Sequence, residues 1–153
     1  MKYTLIALIL YLYFTVCTAM TTLSIHLQQH QLTVEVPTTA QEFKHGLMKR
    51  HYLSSHHGML FLFDTHDAKP VAMWMKNTAL SLDMIFFDEQ RRIVCVIPHT
   101  TPFSLTPISC PPHNISAVLE LKAGSARKLH LKIYTLLKIS KGNFNEGHAA
   151  CTH

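Results

Sequence analysis

Residues Gly58 to Asp88 read GMLFLFDTHDAKPVAMWMKNTALSLDMIFFD, three short apolar runs separated by turn-forming residues. The stretch holds the only Trp of the chain, four of its seven Met and four of its eight Phe. Met59 to Phe63 is an apolar run between Gly58 and Asp64, too short for a helix and suited to a strand covered on both faces. Val71 to Thr78 alternates, placing Val71, Met73, Met75 and Asn77 on one face and Ala72, Trp74, Lys76 and Thr78 on the other. Leu82, Met84 and Phe86 then share a face opposite Asp83, Ile85 and Phe87, so Asp83 is the polar member of an apolar row.

Working outward, the same grammar continues. Leu23, Ile25 and Leu27 alternate, Gln28-Gln29 is polar, and Leu32, Val34 and Val36 alternate again, which predicts a hairpin. Thr39-Ala40-Gln41-Glu42 is a capping box, so one short N-terminal helix starts there and frays by Arg50. On the far side, Asp88 to Arg92 is a charged turn and Ile93 to Ile97 closes a second hairpin. Pro98, Pro102, Pro107, Pro111 and Pro112 exclude helix and central strand, leaving a pinned loop. Val118 to Leu121 resumes strand with Glu120 opposite Leu119 and Leu121, Ala123 to Leu129 offers one helical turn, and Ile133 to Ile139 is the closing strand. The fold class is mainly β, an antiparallel sandwich or flattened barrel.

The ends differ from this body. Residues 1–19 carry Lys2, an apolar run from Tyr3 to Val16 and the small-residue site Cys17-Thr18-Ala19, the pattern of a signal peptide. The expected product is exported, periplasmic or extracellular; the alternative is a lipid anchor through Cys17. The run is shorter than the roughly 20 residues of a membrane-crossing helix, and no transmembrane span is expected after signal removal. Residues 20–140 form a single domain, and 141–153 are a polar tail with almost nothing to bury, expected to be disordered. Export would allow disulfides among Cys95, Cys110 and Cys151, but three cysteines do not define a pairing.

With 153 residues and 48% hydrophobic content the chain suffices for one core. Its net charge of +5 comes from scattered Lys and Arg, without the interleaved aromatics of a strand-binding surface, so no nucleic acid is expected. The 12 His include no H-E-x-x-H, and no C-x-x-C is present, so neither a metal site nor a cofactor is expected.

The layout resembles domain-of-unknown-function family 192. The matching pieces are Gly46-Leu47-Met48 with Arg50, Gly58-Met59-Leu60-Phe61, Trp74-Met75-Lys76-Asn77-Thr78, Leu82-Asp83-Met84-Ile85-Phe86, and Val118-Leu119-Glu120-Leu121 with Ala123-Gly124. They run in order through Leu32 to Ile139. The resemblance implies a compact, mainly β domain of jelly-roll-like character, frequent in exported proteins, with no established activity. The chain departs from it at Lys44-His45, at Ser81, at Arg91-Arg92 and between Leu129 and Tyr134, where the family's last turn is missing.

Trp74, Lys76, Asn77, Thr78, Asp83 and Glu120 form the candidate ligand-binding set. A Trp face covers the C–H surface of a sugar while fixed amides and carboxylates bond to its hydroxyls. The partners expected are a small polar ligand, a glycan or a cell-envelope component. Two alternatives stand beside this one. Asp83 and Glu120, carboxylates embedded in apolar rows, would serve an acid–base hydrolase. Or the polar motif only holds the loops, in a structural domain with no small-molecule site.

Overall fold

The computed structural model describes residues 20–65, 70–110 and 114–140. The expected signal peptide, the polar tail, Cys17 and Cys151 lie outside these. Among the described residues, β1 (Thr21–Leu27) and β2 (His30–Val36) form the expected hairpin, turning at Gln28-Gln29 with Gln28 at φ 56. α1 (Ala40–His45) follows. Its capping box is complete: the Glu42 amide donates to Thr39 Oγ1 at 3.1 Å and the Thr39 amide to Glu42 Oε2 at 3.0 Å. This helix is shorter than expected and lies after the first hairpin, not at the N-terminus of the chain. It ends at Gly46, φ 49, a backbone shape that suits a residue without a Cβ.

β3 (His57–Leu62) runs parallel to β2 and antiparallel to β8 (Ala117–Lys122). β5 (Leu82–Phe87) lies between β8 and β6 (Ile93–Ile97), and β9 (Leu137–Ile139) joins the outer side of β1. The result is one seven-stranded sheet, order β6-β5-β8-β3-β2-β1-β9, beside a ribbon of β4 (Ala72–Met73) and β7 (Ile108–Ser109). The sheet curls until its two edges touch. The Ile93 amide donates to Thr135 O at 2.9 Å, Tyr134 to Ile93 O at 2.7 Å and Leu137 to Arg91 O at 2.8 Å. A single curled sheet therefore carries the fold, where the sandwich reading had placed two.

Both faces of the central strands are covered, as their unbroken apolar runs require. The inner face buries Ile25, Leu27, Leu32, Val34, Leu60, Ile85, Phe87, Leu119 and Leu121. The outer face, with Met59, Phe61, Met84, Phe86 and Val118, is roofed by Leu47, Leu53, Met75, Cys110 and Ile115 from irregular segments. Each such fully buried side chain contributes roughly 1.5–3 kcal/mol. Gly58 permits the close approach of β3 to β8, since a Cβ there would sit 2.6 Å from Glu120 O and from Leu121 Cδ2.

Two expected strands are much shorter than their alternation suggests. After Met73 the chain leaves the ladder: the Met75 amide donates to Ser104 O at 3.0 Å, Thr78 turns back onto Met75 O at 3.1 Å, and Asn77 adopts φ 54. The alternation here belongs to a roof that buries Met75 and Thr78 while exposing Trp74, Lys76 and Asn77. Likewise only Leu137–Ile139 of the closing segment is strand, because Tyr134 at φ 67 breaks the extended backbone before it.

Candidate functional site

The register of β5 on β8 decides how the six candidate residues are distributed. Asp83 lies opposite Leu121 while Met84 lies opposite Glu120. Side chains alternate along a strand, so the two carboxyls emerge on opposite faces of one sheet. The structure therefore does not bring them together as an acid–base pair.

Asp83 is fully buried on the inner face, and both its oxygens are engaged. Oδ1 accepts the His99 amide at 3.0 Å and Oδ2 the Ala126 amide at 2.9 Å. One carboxylate thus anchors the loop after β6 and the first turn of α2 (Ser125–Lys128) to β5. Glu120 faces the outer core between Met59 and Met84, 4% exposed. Burial alone pushes its carboxyl up to about 8, and among the described residues no hydrogen bond reaches it. At neutral pH it is a neutral acid inside an apolar layer.

Thr78 is also buried and structural: its hydroxyl donates to Lys76 O at 3.2 Å and its carbonyl accepts the Phe103 amide at 3.0 Å. The turn it pins presents the other three. Trp74 is 45% exposed, the Lys76 ammonium sits 5.2 Å from the centre of its ring, and Asn77 points out beside them. These three line a shallow groove of about 210 Å³ whose opposite wall is Gln41, Lys44, His45 and Met48. A backbone bond from the Lys49 amide to Asn77 O, 2.9 Å, ties the two walls together. Gln41 and His45 also border a second hollow of about 460 Å³ along α1 with Met20, Thr39 and Glu42.

The structure thus keeps Trp74, Lys76 and Asn77 as one exposed cluster and separates Thr78, Asp83 and Glu120 from it. The wall from α1 and its following turn was missed by the sequence reading. Its only signal was the outward face of a capped helix, which reads as ordinary solvent-facing polarity. No group of three His, Cys, Asp or Glu able to hold a metal occurs among the described residues. Nor is any of their helices long and apolar enough to cross a membrane.

The profile of family DUF192, described as "Uncharacterized ACR", matches residues 21–139. The chain belongs to this family. Among solved structures, this DUF192 chain is similar to a Sinorhizobium meliloti 1021 protein provisionally called a transcription regulator. Identity is 33% and the TM-score 0.69, over 81% of this chain and 96% of the other. It is similar also to a protein of unknown function from Novosphingobium aromaticivorans DSM 12444, at 26% identity and TM-score 0.69, over 82% and 89% of the two chains. No curated protein matches.

Proposed function

We propose that this DUF192 domain is an exported, non-enzymatic binding domain whose ligand is a small polar molecule bearing an anionic group, such as an acidic saccharide or envelope fragment. The observation that carries the reading is the groove between α1 and the Trp74–Asn77 turn. It sets an exposed indole beside Lys44, Lys76 and His45, with Gln41 and Asn77 as amide partners and no carboxylate among the described residues of its lining. The ring suits a sugar's C–H face, the amides suit its hydroxyls, and the two ammonium groups favour a carboxylate or sulfate. We also read the sheet as a flattened barrel, a rigid floor for the groove, and residues 1–19 as the leader that exports it.

Asp83 and Glu120 drop out of the binding set in this reading, and with them the hydrolase. The regulator label of the Sinorhizobium protein is not carried over, because the helices among the described residues, of six and four residues, are short for a groove-reading element.

The test is calorimetric titration of the domain with a uronic acid and with its neutral parent sugar. The expected result is binding of the acid, loss of roughly tenfold or more in affinity for Trp74→Ala and for Lys76→Ala, and unchanged melting temperatures of both variants. A variant that binds as wild type, or preference for the neutral sugar, would refute the assignment.

A further inference from the structure

β6 carries a bulge whose consequence reaches the opposite side of the outer core. Phe87 lies opposite Ile93 but Phe86 lies opposite Cys95, so Val94 has no facing residue. In an unbroken ladder Cys95 would face Ile85 and point to the inner core. The bulge shifts it by one, onto the face of Phe86. That face is roofed by the loop in which Cys110 lies, 7% exposed, positioned by the β4–β7 pairs Ala72 with Ser109 and Met73 with Ile108. Cys95 packs against the same outer-face cluster that buries Cys110, both are free thiols, and the Cys95 side chain lies near enough to act on the Cys110 thiol.

We propose that Cys95 and Cys110 are a disulfide-forming pair, closed by exchange with a small-molecule or protein disulfide when the domain reaches an oxidising compartment. Cys95, partly exposed on β6, is the thiol an oxidant reaches first. Its thiolate attacks one sulfur of the oxidant R–S–S–R, forming a mixed disulfide and expelling RS⁻. Cys110 then gives up its proton and attacks Cys95 Sγ, expelling the second RS⁻. Two cysteine thiols are oxidised to one disulfide, and the oxidant is reduced to two RSH. Burial, and after it the neighbouring Cys95 thiol, pushes the Cys110 thiol up to about 12, so the second step is the slow one and accelerates with pH.

The bridge would close the segment from Cys95 to Cys110, the same segment that supports the exposed turn. Within it the Thr100 hydroxyl accepts the Leu82 amide at 3.0 Å, Phe103 donates to Thr78 O at 3.0 Å, and Ser104 O accepts the Met75 amide at 3.0 Å. Oxidation thus braces the support of Trp74, Lys76 and Asn77, a consequence that rests on the groove reading, whereas the bridge itself does not.

The experiment is incubation of the native full chain with oxidised glutathione, followed by alkylation, proteolysis and mass spectrometry. The expected result is a cross-linked peptide pair containing Cys95 and Cys110, two hydrogens lighter than the free thiols and abolished by reductant. In Cys110→Ser, Cys95 should stop at the glutathione adduct. Recovery of both cysteines as alkylated thiols, their pairing with other cysteines, or an unreacted Cys95 in Cys110→Ser would overturn the proposal. Ligand affinity does not enter this readout, so it fails or stands independently of the groove.

Discussion

Replacing Glu120 with Gln preserves the shape of a side chain buried between Met59 and Met84 and removes its proton. In the folded domain the carboxyl titrates at about 8, against an ordinary value of 4.5. Between these values the folded state holds a proton that the unfolded chain has released. The wild-type protein must therefore lose stability as pH rises through that window, by about 1.4 kcal/mol per pH unit. From pH 5 to pH 7 the loss is roughly 3 kcal/mol, and it levels off above about pH 8 once both states are ionised. Below the ordinary value both states are protonated and the penalty vanishes. Glu120→Gln lacks this dependence, so the stability difference between the two proteins should tilt steadily in favour of the variant from pH 5 to pH 8. Urea denaturation of both at half-unit intervals measures it. A difference that stays flat across the window would refute the reasoning, since a carboxyl with ordinary access to water has no such tilt.

Two further substitutions test the parts of the framework that position the groove. Asp83→Asn leaves one oxygen where two amides now donate and sets an NH₂ against the other amide, so destabilisation of about 2–3 kcal/mol is expected in chemical denaturation; a neutral effect would contradict its anchoring role. Gly58→Ala puts a Cβ 2.6 Å from the Glu120 carbonyl oxygen, and the backbone on the far side has no rotamer with which to yield. A loss of about 1–3 kcal/mol is expected from urea melts, and a stabilised variant would contradict the tight β3–β8 approach.

Much of the fold was legible because two local signals are strong. The capping box at Thr39 and Glu42 announces its helix from four residues, and the unbroken run Leu82 to Phe87 announces a strand buried on both faces. Alternation also placed Asp83 and Glu120 correctly within their own strands. What it could not supply was the register of one strand on another, and a shift of a single residue decides whether two side chains share a face. That is why the carboxyls, though correctly picked as buried, were expected to meet. Alternation misled outright at Trp74 to Thr78, where the same pattern comes from a roof pinned by Ser104 and Phe103, not from a ladder. The α1 wall of the groove and the Cys95–Cys110 contact depend on tertiary packing and, for the cysteines, on a bulge at Val94. Neither leaves a mark in local sequence.

The most direct measurement on the groove uses the fact that the chain has one Trp. In an amide-detected NMR titration with a uronic acid, its indole Nε1–H gives a single unmistakable signal. The expected result is that this signal, the Asn77 and Gln41 side-chain amides and the backbone of Lys44 to Met48 shift together along one saturable curve, while the amides of His99 and Ala126, bonded to Asp83 on the far side of the sheet, stay still. Shifts confined to the surroundings of Asp83, or an indole signal that does not move at saturation, would contradict it.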